Sequence, residues 1–237
     1  MTSRLQFFPL LLFFVLSLAV LGACADNGDD SDEPTASDVV DQAADAFDDL
    51  NSANFELDID GTIGIDAEGM ISLGAVSGEI ARPADARADA SVVFGGSSVS
   101  LEMVASDGEM FMRNLLTGNW ERAPSDLQYD PARIFDEDEG IAAIIDQLED
   151  IELEGEDSVG GTDAFHLTGR VDTPAVTALA GDFFESEQLD VDIWVAQDDY
   201  RLLRVVLHDT EAEDPMSWEL SLSDHDEPVE IDVPELE

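Results

Sequence analysis

The stretch Phe55-Glu56-Leu57-Asp58-Ile59-Asp60 alternates apolar and acidic side chains without a break. A β-strand turns successive side chains to opposite faces, so the three apolar residues point one way and the three carboxylates the other. Such a segment is a strand with one dry and one wet face. Similar runs follow at Ala86-Ala88-Ala90-Val92-Phe94, Val99-Leu101-Met103, Phe165-Leu167, Leu189-Val191-Ile193-Val195 and Trp218-Leu220-Leu222. Turn signals separate them: Gly95-Gly96, Ser106-Asp107-Gly108, Thr117-Gly118-Asn119, Gly160-Gly161 and Gln197-Asp198-Asp199. The spacings are those of hairpins, which predicts a meandering antiparallel sheet of roughly nine or ten strands.

Before Asn51 the period is helical. Ser37 is a good N-cap, and Val39, Val40, Ala43, Ala44, Phe47 and Leu50 then share one face. Two more helices are expected, over Asp138 to Leu148 and from Thr173-Pro174 to Phe184. Pro174 suits the first turn of its helix. The class is therefore α+β, with about three short helices for a large sheet. A strongly twisted sheet of that size curls, and a curled sheet partly covered by helices leaves an apolar hollow. The same pattern also serves a closed, packed barrel.

The chain opens with Arg4 and then runs uncharged from Leu5 to Ala25, apolar between Phe7 and Val20. This fits a signal-peptide h-region, and it ends in Leu21-Gly22-Ala23-Cys24, the pattern of a lipobox. Small residues let the chain lie extended in a peptidase cleft, and the Cys24 thiol accepts a diacylglyceryl group. An uncleaved span of roughly 20 apolar residues is the competing reading. Cys24 is the only cysteine and an acidic segment follows it at once, which favours lipidation. The expected organisation is a signal peptide over 1–23, a flexible acidic tether over 24–37 and a single domain over 38–237. Residues 25–37 span at most about 40 Å. The expected location is the outer face of the cytoplasmic membrane.

Acidic residues number 56 against 9 basic ones, all Arg, for a net charge of −47. Nucleic acid is excluded as a partner, because phosphate binding needs a cationic footprint. Yet 44% of residues are hydrophobic, too many for a disordered chain. Near 1 M salt the Debye length shrinks to about 3 Å, so a salt-rich medium is the expected habitat.

Candidate chemistry is sparse. Glu56-x-Asp58-x-Asp60-Gly61 imitates the start of a calcium loop, but the twelfth position is Ala67 and strand alternation explains the spacing. His166, His208 and His225 show no metal-ligand spacing and read as surface residues. No Gly-x-Ser-x-Gly elbow occurs, and in so acidic a chain a carboxylate pair says nothing about glycoside hydrolysis. No cofactor and no catalytic residue are indicated. Phe47, Ile145, Phe183, Phe184, Met103, Met110 and Met112 read first as core, although methionine also suits an acyl-chain pocket.

Several segments carry a family resemblance. Ser106-Asp107-Gly108 leads through a strand to Asn119-Trp120. Tyr129-Asp130-Pro131-Ala132-Arg133-Ile134-Phe135 precedes Gly140-Ile141. Gly155-x-Asp157-x-x-x-Gly161 continues to Gly169-Arg170-Val171, and Val191-x-Ile193-Trp194-Val195 follows. In this order, from Asp38 onward and behind a lipobox, the chain resembles the LppX/LprG family of lipoproteins. The resemblance implies a half-barrel similar to LolA and LolB, with a strongly curved antiparallel sheet and helices over its concave face. It also implies an apolar cavity for acyl chains and transfer of a lipid or glycolipid across the envelope. No lipid-contacting residue carries over from the motifs. On the dry faces, Phe47, Leu57, Ile59, Leu101, Met103, Ile141, Ile145, Phe184, Val191 and Ile193 are the cavity candidates. The helix near Ile141 to Leu148, with the segment before it, is the expected gate. Expected partners are the lipid, the cytoplasmic membrane through the anchor, and a membrane exporter. The alternative is a non-catalytic interaction lipoprotein with a closed core and an acidic docking face; an envelope hydrolase ranks behind both.

Overall fold

A computed structural model describes residues 34–61, 63–64, 71–124 and 128–236, and Pro34–Glu237 forms one compact unit. The signal segment, Cys24 and the tether up to Glu33 lie outside the described residues, as does Ala67.

Helix α1 (Ala36–Asp48) starts at Thr35 rather than at the expected Ser37. The Thr35 hydroxyl accepts from the Asp38 amide while the Asp38 carboxylate accepts from the Thr35 amide, so the two close a capping box. Ser37 has no such partner three residues on, which is why the start moves. The bonds from Thr35 also hold the Asp38 carboxyl below its usual range. Val39, Val40, Ala43, Ala44 and Phe47 form the buried face of α1.

Among the described residues twelve strands follow: β1 (Ser52–Asp60), β2 (Ile63–Gly64), β3 (Ile71–Ala81), β4 (Asp85–Phe94), β5 (Ser97–Ser106), β6 (Glu109–Arg113), β7 (Trp120–Arg122), β8 (Glu149–Val159), β9 (Thr162–Asp172), β10 (Gln188–Ala196), β11 (Leu202–Asp209) and β12 (Met216–Ser223). All the pairings are antiparallel. The order across the sheet is β7-β6-β5-β4-β3-β1-β12-β11-β10-β9-β8, with β2 beside β3. The first and last strands thus meet in the middle, where Leu57 faces Leu220. Among the described residues β7 and β8 do not pair, so the sheet is an open half-barrel rather than a closed barrel.

Two short helices and a 3₁₀ turn join the strands. The turn Pro131–Phe135 precedes α2 (Ile141–Ile145), and α3 (Thr173–Ala180) links β9 to β10. Both helices are shorter than their periodicity suggested. The Asp136 carboxylate accepts from the Asp138 and Glu139 amides at 2.9 Å each, which holds a turn where helix was expected. Gly181, at φ +70°, ends α3 before Phe183. All three helices pack on the sheet face that carries Leu167, Val171, Val191, Ile193 and Leu222, and together they form the core.

Candidate functional site

The sheet presents its dry face in rows. Across the middle, Val76, Leu57, Leu220, Val205, Ile193 and Leu167 stand side by side on neighbouring strands. Toward β5 the row residues become small. Gly78 faces Ala88, and Ala86 and Ala90 continue the same face of β4. Short side chains there, beneath the helices, leave space that no side chain among the described residues fills. The result is a cavity of about 430 Å³, within the range of roughly 300–1,000 Å³ typical of small-molecule pockets.

The floor includes Leu57, Val76, Ala88, Met103, Met110, Val191 and Ile193. The cover is Pro131 and Ile134 of the 3₁₀ turn, Ile141, Ile144 and Ile145 of α2, Leu148, and Val176, Leu179 and Ala180 of α3. Among the described residues that line it, only Tyr129 and Trp218 carry a polar side-chain group. Trp218 packs beside the Phe183 and Phe184 rings, with centroids 6.0 and 5.1 Å away. Its indole nitrogen is buried and finds no acceptor among the described residues. Tyr129 and Phe183 are 39% and 37% exposed, which places them where the cavity meets solvent. Burial pushes the Tyr129 phenol up to about 12, although part of the residue reaches solvent, so it stays a neutral hydrogen-bonding group.

The cover is tied down from several sides. Asp130 caps the 3₁₀ turn by accepting from the Ala132 amide at 3.0 Å, and the Arg133 guanidinium donates to the Ala178 carbonyl of α3 at 3.2 Å. Phe135 stacks on Phe47 of α1, centroids 6.1 Å apart. On Phe135 lies the Arg82 guanidinium, 4.4 Å from the ring centre. The same Arg82 donates to the Leu50 and Asp48 carbonyls at 2.6 and 2.8 Å, closing the C-terminal end of α1. At the seam between α1 and α2, burial and then the nearby Asp41, Asp48 and Asp45 raise the Asp146 pKa.

The segment after Phe183 and Phe184 is held by Asp209 at the end of β11. Asp209 is fully buried, and its carboxylate accepts from the Ser186 hydroxyl and from the Glu185 amide at 2.8 Å. Burial acts to raise its pKa, but the bonds from Ser186, Glu185 and Ala212 outweigh it and hold the carboxyl below its usual range. The stabilisation is therefore fully present above the unfolded-state pKa of about 3.9 and is lost as pH falls through the folded-state value. Asp209→Asn keeps the shape but loses the charge, and is expected to cost about 1–3 kcal/mol at neutral pH. Paired urea titrations check this: the gap between wild type and variant should close as pH drops below about 4. A gap that stays constant with pH would overturn the assignment.

Of the ten candidates from the sequence, Leu57, Met103, Ile141, Ile145, Val191 and Ile193 line the cavity. The other four are not among its lining residues. Phe47 stacks on Phe135 under α1, Ile59 stands opposite Trp218 near the strand end, Leu101 is buried opposite Ala90, and Phe184 packs against Trp218. Ala86, Ala88, Tyr129 and Trp218 line the cavity without having been singled out. The histidines lie elsewhere. His166 and His208 flank Asp192 at 2.7 and 3.1 Å on the opposite face of the sheet, and His225 meets the Leu202 carbonyl. Glu56, Asp58 and Asp60 are exposed on the wet face of β1.

Comparison with known proteins places this geometry in context. The sequence profile of the LppX_LprAFG lipoproteins matches residues 35–231. The lipoarabinomannan carrier protein LprG of Mycobacterium bovis (strain BCG) is 26% identical over 204 residues, covering 85% of this chain and 83% of that protein. Its namesake in Mycobacterium leprae is 25% identical over 239 residues, covering 98% and 96%. Among solved structures, LprF from Mycobacterium bovis superposes with a TM-score of 0.69 at 18% identity, over 84% of this chain and 96% of that one. LppX from Mycobacterium tuberculosis gives 0.59 at 15% identity, over 82% and 96%. At those identities the structural likeness concerns the fold.

Proposed function

We propose that this chain, which belongs to the LppX_LprAFG lipoprotein family, binds the acyl chains of a lipid or glycolipid and carries them within the cell envelope. One observation carries the reading: a cavity of about 430 Å³ whose lining, among the described residues, offers only Tyr129 and Trp218 as polar side chains. Such a surface rewards hydrocarbon and little else. Each methylene exposed to water costs about 0.8 kcal/mol, so an enclosed carrier speeds movement between apolar compartments that are themselves near balance. The relatives named as lipoarabinomannan carriers support a glycolipid as cargo, its acyl chains inside and its headgroup beside Tyr129 and Phe183. Leu57, Met103, Ile141, Ile145, Val191 and Ile193 contact the chains, and α2 with the 3₁₀ turn forms the gate.

In this reading a lipid on Cys24 tethers the protein to the outer face of the cytoplasmic membrane, where a membrane exporter hands over the cargo. The protein acts by binding rather than by chemistry, in a salt-rich medium that screens its charge.

Native mass spectrometry of detergent-free Pro34–Glu237, purified in high salt from its own host, tests the proposal. Stoichiometric lipid is the expected result, and its mass names the cargo class. An apo mass that persists after incubation with host lipid extract would sink it.

A further inference from the structure

The sharpest exposed apolar feature is not in the cavity. The turn between β6 and β7 carries Leu115 at 55% and Leu116 at 96% exposed. The turn is ordered rather than frayed: the Asn114 carboxamide oxygen accepts from the Leu116 and Thr117 amides at 2.9 and 3.1 Å, and Arg113 donates to the Gly118 carbonyl at 3.0 Å. Consecutive antiparallel strands reverse direction, so the β4–β5 turn at Gly95-Gly96 lies at the same end of the sheet. That turn is flanked by Val93 and Val99, each 37% exposed. Val99 continues a cross-strand row through Val92 to Leu73, which lines the cavity. The dry face thus runs from the cavity out to this rim.

Charge shows what the rim meets. Nearly a quarter of the residues in this chain are acidic, yet none falls between Ala90 and Leu101 or between Met110 and Trp120. Arg113, the one charged side chain in these runs, is paired with Glu102 at 2.7 Å. The β11–β12 loop at the same end of the other half-sheet carries Glu211, Glu213 and Asp214. Carboxylates lose hydration at the headgroup–acyl boundary, a cost that salt screening does not remove. Among the described residues the two uncharged tips are therefore the part of this end that can touch a bilayer and bury leucine in it.

We propose that the β4–β5 and β6–β7 tips dock on the bilayer surface, with Leu115 and Leu116 inserted at the headgroup–acyl boundary. Docked there, the dry face that reaches this rim delivers or collects lipid without passage through water. The proposal rests on the carrier reading, and its test separates the two.

The full-length lipidated protein is reconstituted in phosphatidylcholine vesicles with dibrominated acyl chains, in molar salt. Tryptophan is added by Leu116→Trp or, as control, by Val233→Trp beside Asp232 and Glu235 near the C-terminus. Bromine is expected to quench the added Leu116→Trp signal by half or more and the Val233→Trp signal far less. Equal quenching overturns the proposal, whether the tip is then free or covered by another protein. In a second arm, Leu115→Ser with Leu116→Ser should slow lipid transfer between vesicles about tenfold or more, with lipid content per protein unchanged. Unaltered transfer overturns docking. A wild type that holds no lipid at all overturns the carrier reading instead, and the quenching arm still judges the tips.

Discussion

The Ala88→Trp variant is expected to fold and to hold at least tenfold less lipid than the wild type. Ala88 sits in the middle of β4 with Gly78 on one side and Met103 on the other, and its methyl group lines the cavity. Tryptophan is well suited to a strand, and here its ring enters space that no side chain among the described residues fills. Overpacking destabilises when the added atoms must displace others; in an open cavity they displace only the ligand. Losing room for two methylenes already costs more than a factor of ten in occupancy, at about 0.8 kcal/mol each and 1.4 kcal/mol per decade. Lipid content by mass spectrometry, read beside the melting temperature, checks the outcome. Full occupancy in a variant with unchanged melting would mean that the lipid lies elsewhere on the protein.

The choice of Ala88 shows where sequence reading stops. The alternation of Phe55 to Asp60, and of Leu189 to Val195, is legible because one face of these strands is wet. Strand β11 is not legible this way: Leu202, Leu203, Val205, Val206 and Leu207 run nearly without alternation. In β3 a register shift between Leu73 and Val76 breaks the period. Dryness of a face can be read from spacing, but which dry residues touch the cavity cannot. Phe47 and Ile145 look alike in sequence, each apolar on a helix face. In the fold Phe47 meets Phe135, while Ile145 faces open space.

The hollow itself comes from absence. Ala86, Ala88 and Ala90 read as a weak strand, and their meaning appears only when Gly78 and the cover are seen opposite. The same holds for Leu115 and Leu116. A signal was available in the acid-free run from Met110 to Trp120, but without topology nothing placed that run at the same end as the β4–β5 turn.

Gly140→Ala is expected to lift the cover and to destabilise the domain by about 3 kcal/mol or more. Gly140 has φ −81°, a conformation any residue adopts, so the demand for glycine here is steric. A methyl group would run into the Asp136 carbonyl oxygen and stand 2.7 Å from both the Asp136 nitrogen and the Ile134 oxygen. All three are backbone atoms, so no side chain can swing aside. The Gly140 amide donates to the Asp136 carbonyl at 2.9 Å, and the Gly140 carbonyl accepts from Ile144 as α2 begins. Relief of the clash must therefore separate α2 from the 3₁₀ turn and shift Ile141, Ile144 and Ile145, which roof the cavity. For a domain of this size, 3 kcal/mol corresponds to a fall in melting temperature of roughly 6–12 °C. Lipid should also leave faster, because the roof no longer seats on the floor. Calorimetry with a dissociation time course measures both effects. A melting temperature close to wild type would show that the turn before α2 relaxes freely, and that Gly140 is not what seats the cover on the floor.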